Sequence, residues 1–591
     1  MKYKIELGGS NFEEFATNNL LLVDKTLLIQ DIIDGGNKVL LITRPRRWGK
    51  TLNMSMLDYF FSIPVHDDAS IDEEKHQEKI NIFSRMNISA YADTMQKYCG
   101  QYPTIFVSFK DIKKSTYDAI KEGIRAVICQ LYTTHEYLLQ SQKLSEFNKT
   151  VIQKYISMDF NDAALDCSIK VLSEMLFKHF GQKTIILIDE YDTSMNDWYS
   201  RAIADASTDG ESNQSLQQIL DLFRNIFSAA LKDNNHLERG VITGILRIAK
   251  ASLFSGLNNL GEDCVLDHRY AQHFGFTEEE VNWLLHETNM DRDEVAAQNL
   301  KDWYNGYNIG GITIYNPWSI MNYLSTRGEL KAYWVGTAST TLFENALILD
   351  QFKEEIHNLI EGKTVNAIAD PKMVFVDIKS SPNAFYNLLL FSGYLTAKEI
   401  TQGRAATYNC VVRIPNKEVL EVFELSILQW LKNKFNIEPT EYNDFMNAFL
   451  AGDLEFFFLK LKDFIKTAVS FHSTAIDKAE SFYNGVMTTL MILIPRSSYI
   501  VEQERESGDG RIDLLVIPKS NARHKNALIL EFKIMGKKSG IQNLKDIAQE
   551  GLNQINNKSY ETRVRTYEGV DQIIKVGLAF CGKNVEIAWE G

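Results

Sequence analysis

Four stretches of the chain are almost unbrokenly apolar: Lys38–Thr43 (KVLLIT), Thr104–Phe109 (TIFVSF), Thr184–Asp189 (TIILID) and Gly240–Ile245 (GVITGI). Short runs of this kind, rich in β-branched residues, read as strands buried on both faces. Longer helical stretches separate them, so residues 1–265 predict an α/β domain built on a parallel sheet. From 266 to 350 the pattern turns helical and aromatic (FGFTEEEV, WYNGYNIGG, YNPWSIMNYL), with Thr277 and Glu280 spaced as a capping box. Residues 351–470 read as mainly helical, with a short β element near 405–414 and a turn at RIPNKEV. Residues 471–591 run helix, strand, strand, strand, helix, strand, a small α/β domain of its own.

With 591 residues, 45% of them hydrophobic and only 10 prolines, the chain has material for several cores and does not read as disordered. Its six cysteines stand singly, at 99, 129, 167, 264, 410 and 581, with no CxxC pair. Reduced thiols, no disulfide framework and no zinc site are expected. No apolar run approaches the roughly 20 residues that span a bilayer. A cytoplasmic protein without membrane contact is the expectation. The net charge of −14 argues against coating nucleic acid through a global positive field. Residues 471–591 hold 16 Lys+Arg against 15 Asp+Glu, so the first 470 residues carry a net −15. The near-neutral tail leaves a local basic groove possible.

Directly after the first strand comes RPRRWGKT, Arg44–Thr51, and directly after that a helical pattern, LNMSMLDYFF. Strand, tight loop and helix N-terminus are the setting of a phosphate-binding loop, whose backbone N–H groups and helix dipole face the phosphates. Arg44, Pro45, Arg46, Arg47, Trp48, Gly49, Lys50 and Thr51 are therefore candidate nucleotide-binding residues. Lys50 would neutralise the β- and γ-phosphates and the Thr51 hydroxyl would ligate Mg²⁺. Arg44 stands where such loops usually open with glycine. The third strand ends in Asp189-Glu190, in the crevice where open α/β sheets bind ligands. Asp189 would hold Mg²⁺ through water, and Glu190 would position and deprotonate the attacking water of ATP hydrolysis. On the fourth strand and beyond it, Thr243 and Arg247 are candidates for the γ-phosphate and its transition-state charge.

These strings resemble a known family, the AAA-ATPase-like proteins fused to a C-terminal nuclease-superfamily domain, widespread in bacteria and some archaea. VDKT (Val23–Thr26), RPRRWGKT, FVSFKDIK (Phe106–Lys113), LIDEYDT, TGILRIAKASLFSGLNNL, FGFTEEEV, WYNGY, YNPWSI, FSGYLT and RIPNKEV occur in that family's order over nearly the whole chain. The family tends to carry Arg at the loop's first position. The resemblance implies a P-loop NTPase fold and ATP binding.

The last 120 residues carry a second chemistry: Glu480 in AESFYNG, Asp513 in GDGRIDLLVI, and Glu531 with Lys533 in ALILEFKIM. Alternation along a strand puts Glu531 and Lys533 on one face, and hairpin pairing would bring Asp513 beside Glu531. Two carboxylates in a half-open site suit Mg²⁺, with Mn²⁺ as a substitute, and Lys533 would orient the attacking water. Glu480, on one helix face with Tyr483 and Asn484, would complete the metal site, while Gln554 and Tyr560 would touch a nucleic-acid backbone. The order Glu, Asp, Glu-x-Lys, Gln resembles the PD-(D/E)XK nuclease superfamily, with one departure at Asn484, where relatives often have His. That resemblance implies a restriction-endonuclease-like α/β domain.

Two functions compete on this reading. One is an ATPase coupled to a Mg²⁺-dependent nuclease acting on nucleic acid, DNA first. The other is a nucleotide-gated switch or scaffold whose nuclease fold only binds a partner. Homo-oligomerisation is compatible with either, and Arg44, Arg46, Arg47 and Arg247 are the cations that would let each chain work alone.

Overall fold

The computed structural model describes residues 3–204, 211–246, 260–290, 294–334, 353–371, 381–404, 406–471, 483, 487, 490–491, 493–495, 498–507, 510–535, 544–558 and 560–591. The chain divides into two compact units, Met1–Ala346 with Thr364–Val422, and Leu347–Lys363 with Phe423–Gly591. This division differs from the boundaries at 265, 350 and 470 expected from the pattern of strands and helices along the sequence. The aromatic-rich segment belongs to the same unit as the P-loop.

In the first unit β1 (Val39–Thr43), β2 (Thr104–Ser108), β3 (Thr184–Asp189), β4 (Leu237–Gly244) and β5 (Leu260–Asp263) form one sheet in the order β2-β3-β4-β1-β5, all pairs parallel. Alternation decides which residues face which layer. Val39, Leu41, Ile186 and Ile188 join the core cluster under the helices Tyr117–Thr134, Asp162–Phe180 and Glu211–Leu231. Their neighbours Leu40, Ile42, Ile185 and Leu187 pack on the opposite face with Met54, Leu57 and Phe61 of α1 (Lys50–Phe61). Each fully buried aliphatic side chain contributes roughly 1.5–3 kcal/mol, so the double-sided burial that made these runs readable also holds the sheet together. β5 was not expected. Leu260–Asp263 is a short, polar edge strand without an apolar run.

The expected β element near 405–414 is one strand of three: β8 (Val365–Ala369), β9 (Thr396–Gln402) and β10 (Tyr408–Arg413) pair antiparallel in the order β8-β10-β9. The Thr277 capping box is present, with both reciprocal bonds made to Glu280. A small hairpin, β6 (Tyr307–Ile309) with β7 (Ile312–Ile314), interrupts the helical segment.

The second unit carries a five-stranded mixed sheet in sequence order, β11 (Tyr499–Ser507), β12 (Gly510–Pro518), β13 (Asn526–Ile534), β14 (Gln572–Cys581) and β15 (Asn584–Glu590). Only β13 and β14 run parallel, joined through α2 (Leu544–Asn557). The sequence reading ended one strand early, because Gly582 and Lys583 close a two-residue turn between β14 and β15. α2 lies flush on the sheet because its contact point on β14 is a glycine: a Cβ on Gly577 would meet the Ala548 carbonyl oxygen at 2.1 Å. Among the described residues, no helix is long and apolar enough to cross a membrane.

Candidate phosphate and metal sites

The strand order puts β4 between the P-loop strand and β3, so three strand ends meet at one point. Thr51, on the first turn of α1, donates its hydroxyl to Asp189 Oδ2 at 2.8 Å. Thr243, from β4, donates to Asp189 Oδ1 at 2.5 Å. Asp189 is fully buried, and burial raises its carboxyl pKa while the two hydroxyls and Lys50 act against that rise. Lys50 caps the loop from within. Its Nζ donates to the Arg44 carbonyl at 3.0 Å and the Pro45 carbonyl at 2.8 Å. Burial lowers its pKa, opposed by Glu190, Asp189 and Asp192. Gly49 takes φ +76° at the helix cap, where glycine is free to turn, and Arg47 is left-handed at φ +66°.

Glu190 also adopts a left-handed φ of +50°, a conformation that costs a non-glycine residue on the order of 1 kcal/mol. Its Oε2 accepts from the Thr193 hydroxyl at 3.1 Å, and it lines the cavity beside Lys50 and Thr51. That cavity, about 430 Å³, has an apolar wall including Phe12, Phe15, Val23, Phe276, Trp318 and Met321. Its size falls in the range of small-molecule and cofactor sites.

The loop's remaining residues take different roles from those expected. Arg44 does not face phosphate. Its guanidinium is fully buried, donates to Asp263 Oδ1 at 2.5 Å and to the Thr43 carbonyl at 2.8 Å, and lies 5.4 Å from the Phe274 ring. It ties the loop's start to edge strand β5, which explains why arginine stands where glycine was expected. Pro45 is buried, and a Cβ on Gly393 would come within 2.8 Å of it. Trp48 is buried edge-on against Tyr307 at 4.9 Å. Arg47 lies 4.3 Å over Trp318, and the Arg46 carbonyl accepts from the Trp334 indole at 3.4 Å. Trp334 is held in turn by Glu418, which accepts its backbone N–H at 2.8 Å and the Ser319 hydroxyl at 2.7 Å. Burial pushes Glu418 up to about 7. Arg247 lies outside the described residues.

Sequence reasoning missed Asp192, the third acid of LIDEYD. Its buried Oδ2 accepts from the Ile245 N–H at 2.9 Å, the Leu246 N–H at 2.8 Å and the Asn196 amide at 2.8 Å. Together with the Tyr191 hydroxyl on the Leu246 carbonyl (2.6 Å), it locks the exit of β4 against β3. Gly244 is required there, since a Cβ would meet the Tyr191 ring at 2.5 Å. The only sequence signal was a carboxylate two residues beyond Glu190.

In the second unit, the β12–β13 register (Leu514 opposite Leu530) brings Asp513 to Glu531. Asp513 Oδ2 accepts the Phe532 N–H at 2.6 Å. Glu531 is 3% exposed, and burial, reinforced by Asp513, raises its pKa to about 7 against the pull of Lys533 and Lys558. Lys533 Nζ lies 3.1 Å from Glu531 Oε1 and donates to Gln554 Oε1 at 2.6 Å, and the Gln554 amide donates to the same Glu531 oxygen. Among the described residues, Glu531 Oε2 is buried with no hydrogen-bond partner. A buried orphan carboxylate oxygen beside a second carboxylate is the donor set a hard divalent cation takes.

Two expectations change here. Tyr560 is fully buried in the core with Ile512, Leu515, Ile529 and Ile555, so it cannot reach a nucleic-acid backbone. Gln554 sits inside the Glu531–Lys533 cluster. Lys558, one turn beyond Gln554, was missed and adds positive potential at Glu531. Glu480 and Asn484 lie outside the described residues. Tyr483, from the same segment, donates to the Gly582 carbonyl at 2.6 Å and stacks on Phe580 at 4.9 Å.

Two family models match separate parts of the chain. Residues 6–254 match the family model described as predicted AAA-ATPase, and residues 478–590 match that of the PD-(D/E)XK nuclease superfamily. An uncharacterized protein in the vnfD 5′ region of Azotobacter chroococcum is 23% identical over 575 residues, covering 95% of this chain and 94% of its own. Among solved structures, the Walker-type ATPase of Pyrococcus abyssi is matched along its whole length and over 72% of this chain, at 12% identity and a TM-score of 0.33.

Proposed function

We propose that this chain, in which an AAA-ATPase-like domain precedes a PD-(D/E)XK nuclease superfamily domain, hydrolyses ATP in its first unit and cleaves nucleic acid, DNA first, in its second. The observation that carries the reading is the pair of buried carboxylates, Asp189 and Glu531, each set beside a lysine. A carboxylate–lysine pair of this kind suits a divalent cation and a phosphate.

In the first unit Thr51 and Asp189 would hold Mg²⁺, which when bound supplies charge to the β- and γ-phosphate oxygens. Lys50 would exchange its two loop carbonyls for phosphate oxygens. Glu190, turned into the cavity by its left-handed backbone, would orient the attacking water and take its proton. The apolar wall leaves room for the base. In the second unit Asp513 and the free Glu531 oxygen would hold Mg²⁺ or Mn²⁺, which when bound polarises the scissile phosphodiester. Lys533 would orient the water there, and Gln554 would keep Lys533 and Glu531 in register.

The test is a cleavage assay on full-length protein with linear and circular DNA and with RNA, in Mg²⁺ or Mn²⁺, with and without ATP. Cleavage that is lost with EDTA and with Asp513→Ala is expected, while ATP turnover survives that substitution. Folded protein that binds the cation and leaves every nucleic acid intact would favour the scaffold reading, which the net −15 of the first 470 residues supports.

A further inference from the structure

We propose that Lys110 and Lys113 meet the terminal phosphate from the side opposite the P-loop, so that each chain completes its own hydrolytic site. This deepens the ATPase reading and rests on it. The pairing of β2 with β3 continues to its end, with Ser108 opposite Asp189, and the Phe109 N–H then donates to the Asp189 carbonyl at 3.1 Å. The segment that follows β2 is thereby brought beside Glu190. It is pinned twice, by the side chains of Phe109 and Ile112 in the core and by the Ser194 hydroxyl donating to the Ile112 carbonyl at 2.8 Å. Lys110, Asp111 and Lys113 are left exposed and line the same cavity as Glu190, Lys50 and Thr51. Two ammonium groups against one carboxylate leave this wall positive.

The chemistry calls for charge on that side. Water attacks the γ-phosphorus, the new P–O bond forms as the bond to the β-phosphate oxygen breaks, and the electron pair departs with ADP. Glu190 receives the water's proton, and negative charge spreads over the γ-oxygens. Lys50 and Arg46 stand on the P-loop side. Among the described residues, other cations near the loop are committed elsewhere: Arg44 to Asp263, Arg47 to Trp318, and Lys25 to Glu280 at 2.6 Å. The long, flexible lysine stems let the ammonium groups follow charge as it develops.

The experiment uses full-length wild type, Lys110→Ala, Lys113→Ala, the double variant and the double Lys→Arg variant. Steady-state ATP turnover is measured beside calorimetric binding of the slowly hydrolysed analogue ATPγS. The double alanine variant should bind ATPγS as wild type does while turnover falls about 100-fold, the scale of losing one transition-state donor. The arginine variant should recover most of the rate. Mixing the double alanine variant with Glu190→Gln should restore nothing. Unchanged turnover, an equal loss of binding and turnover, or rescue on mixing would each overturn the proposal. Lys50→Ala separates the two readings: if it binds ATPγS as well as wild type does, the nucleotide site itself is misplaced and both readings fall.

Discussion

The two acidic centres solve the same problem in opposite ways. Asp189 has both oxygens filled by neutral hydroxyls from Thr51 and Thr243, whereas Glu531 has one oxygen shared by Lys533 and Gln554 and the other, among the described residues, unpartnered. A hydroxyl that donates to a carboxylate can rotate and offer its oxygen to a cation instead, so on the proposed function the first site would stay satisfied until nucleotide arrives. The second leaves a buried acceptor unmet, at a cost of about 1–3 kcal/mol. On the proposed function, the difference would separate a centre loaded together with its nucleotide from one preset for a bare cation.

The sharpest way to break that contrast is at Glu190. Glu190→Gln should keep ATP bound and slow its turnover by roughly 10²–10⁴-fold, the range of general-base catalysis, measured by steady-state phosphate release. Next in size is the Arg44 anchor. Asp263→Ala strands a buried guanidinium and should cost about 3–5 kcal/mol in chemical denaturation. Arg44→Gly, which restores the usual loop residue, should also destabilise the fold, because it strands Asp263. At the second centre, Gln554→Ala should weaken Mn²⁺ binding by roughly 10–100-fold in calorimetry, the scale of losing a group that orients metal ligands.

A further effect is set by pH. Burial lifts Glu531 from the ordinary 4.5 to about 7, so the folded chain prefers the proton. The metal-free protein should therefore lose stability as pH rises from about 4.5 to 7 and level off above that. Below about 7 a cation must displace the proton, so Mn²⁺ affinity should fall up to tenfold per pH unit. Glu531→Gln should flatten the stability profile.

What could be read from sequence follows from how local each cause is. β1 to β4 were legible because strands buried on both faces are apolar throughout, and the P-loop because strand, loop and helix are contiguous. β5 and β8 were not, since edge strands alternate or carry polar residues and owe their pairing to distant partners. The role of Arg44 lay in Asp263, 219 residues away. Tyr560 was misread because a phenol looks polar in sequence, yet its ring fills the core. Glu531, Lys533 and Asp513 were legible from alternation and hairpin pairing, while Lys558 needed the fold to bring its helix turn to Glu531.

The most direct test of two independent cation sites is Mn²⁺ titration of full-length protein, with and without ATPγS, followed by paramagnetic resonance. One site without nucleotide and two with it are expected, Asp513→Ala removing the first and Asp189→Asn the second. A single site under both conditions, or joint loss of both in either variant, would contradict the account.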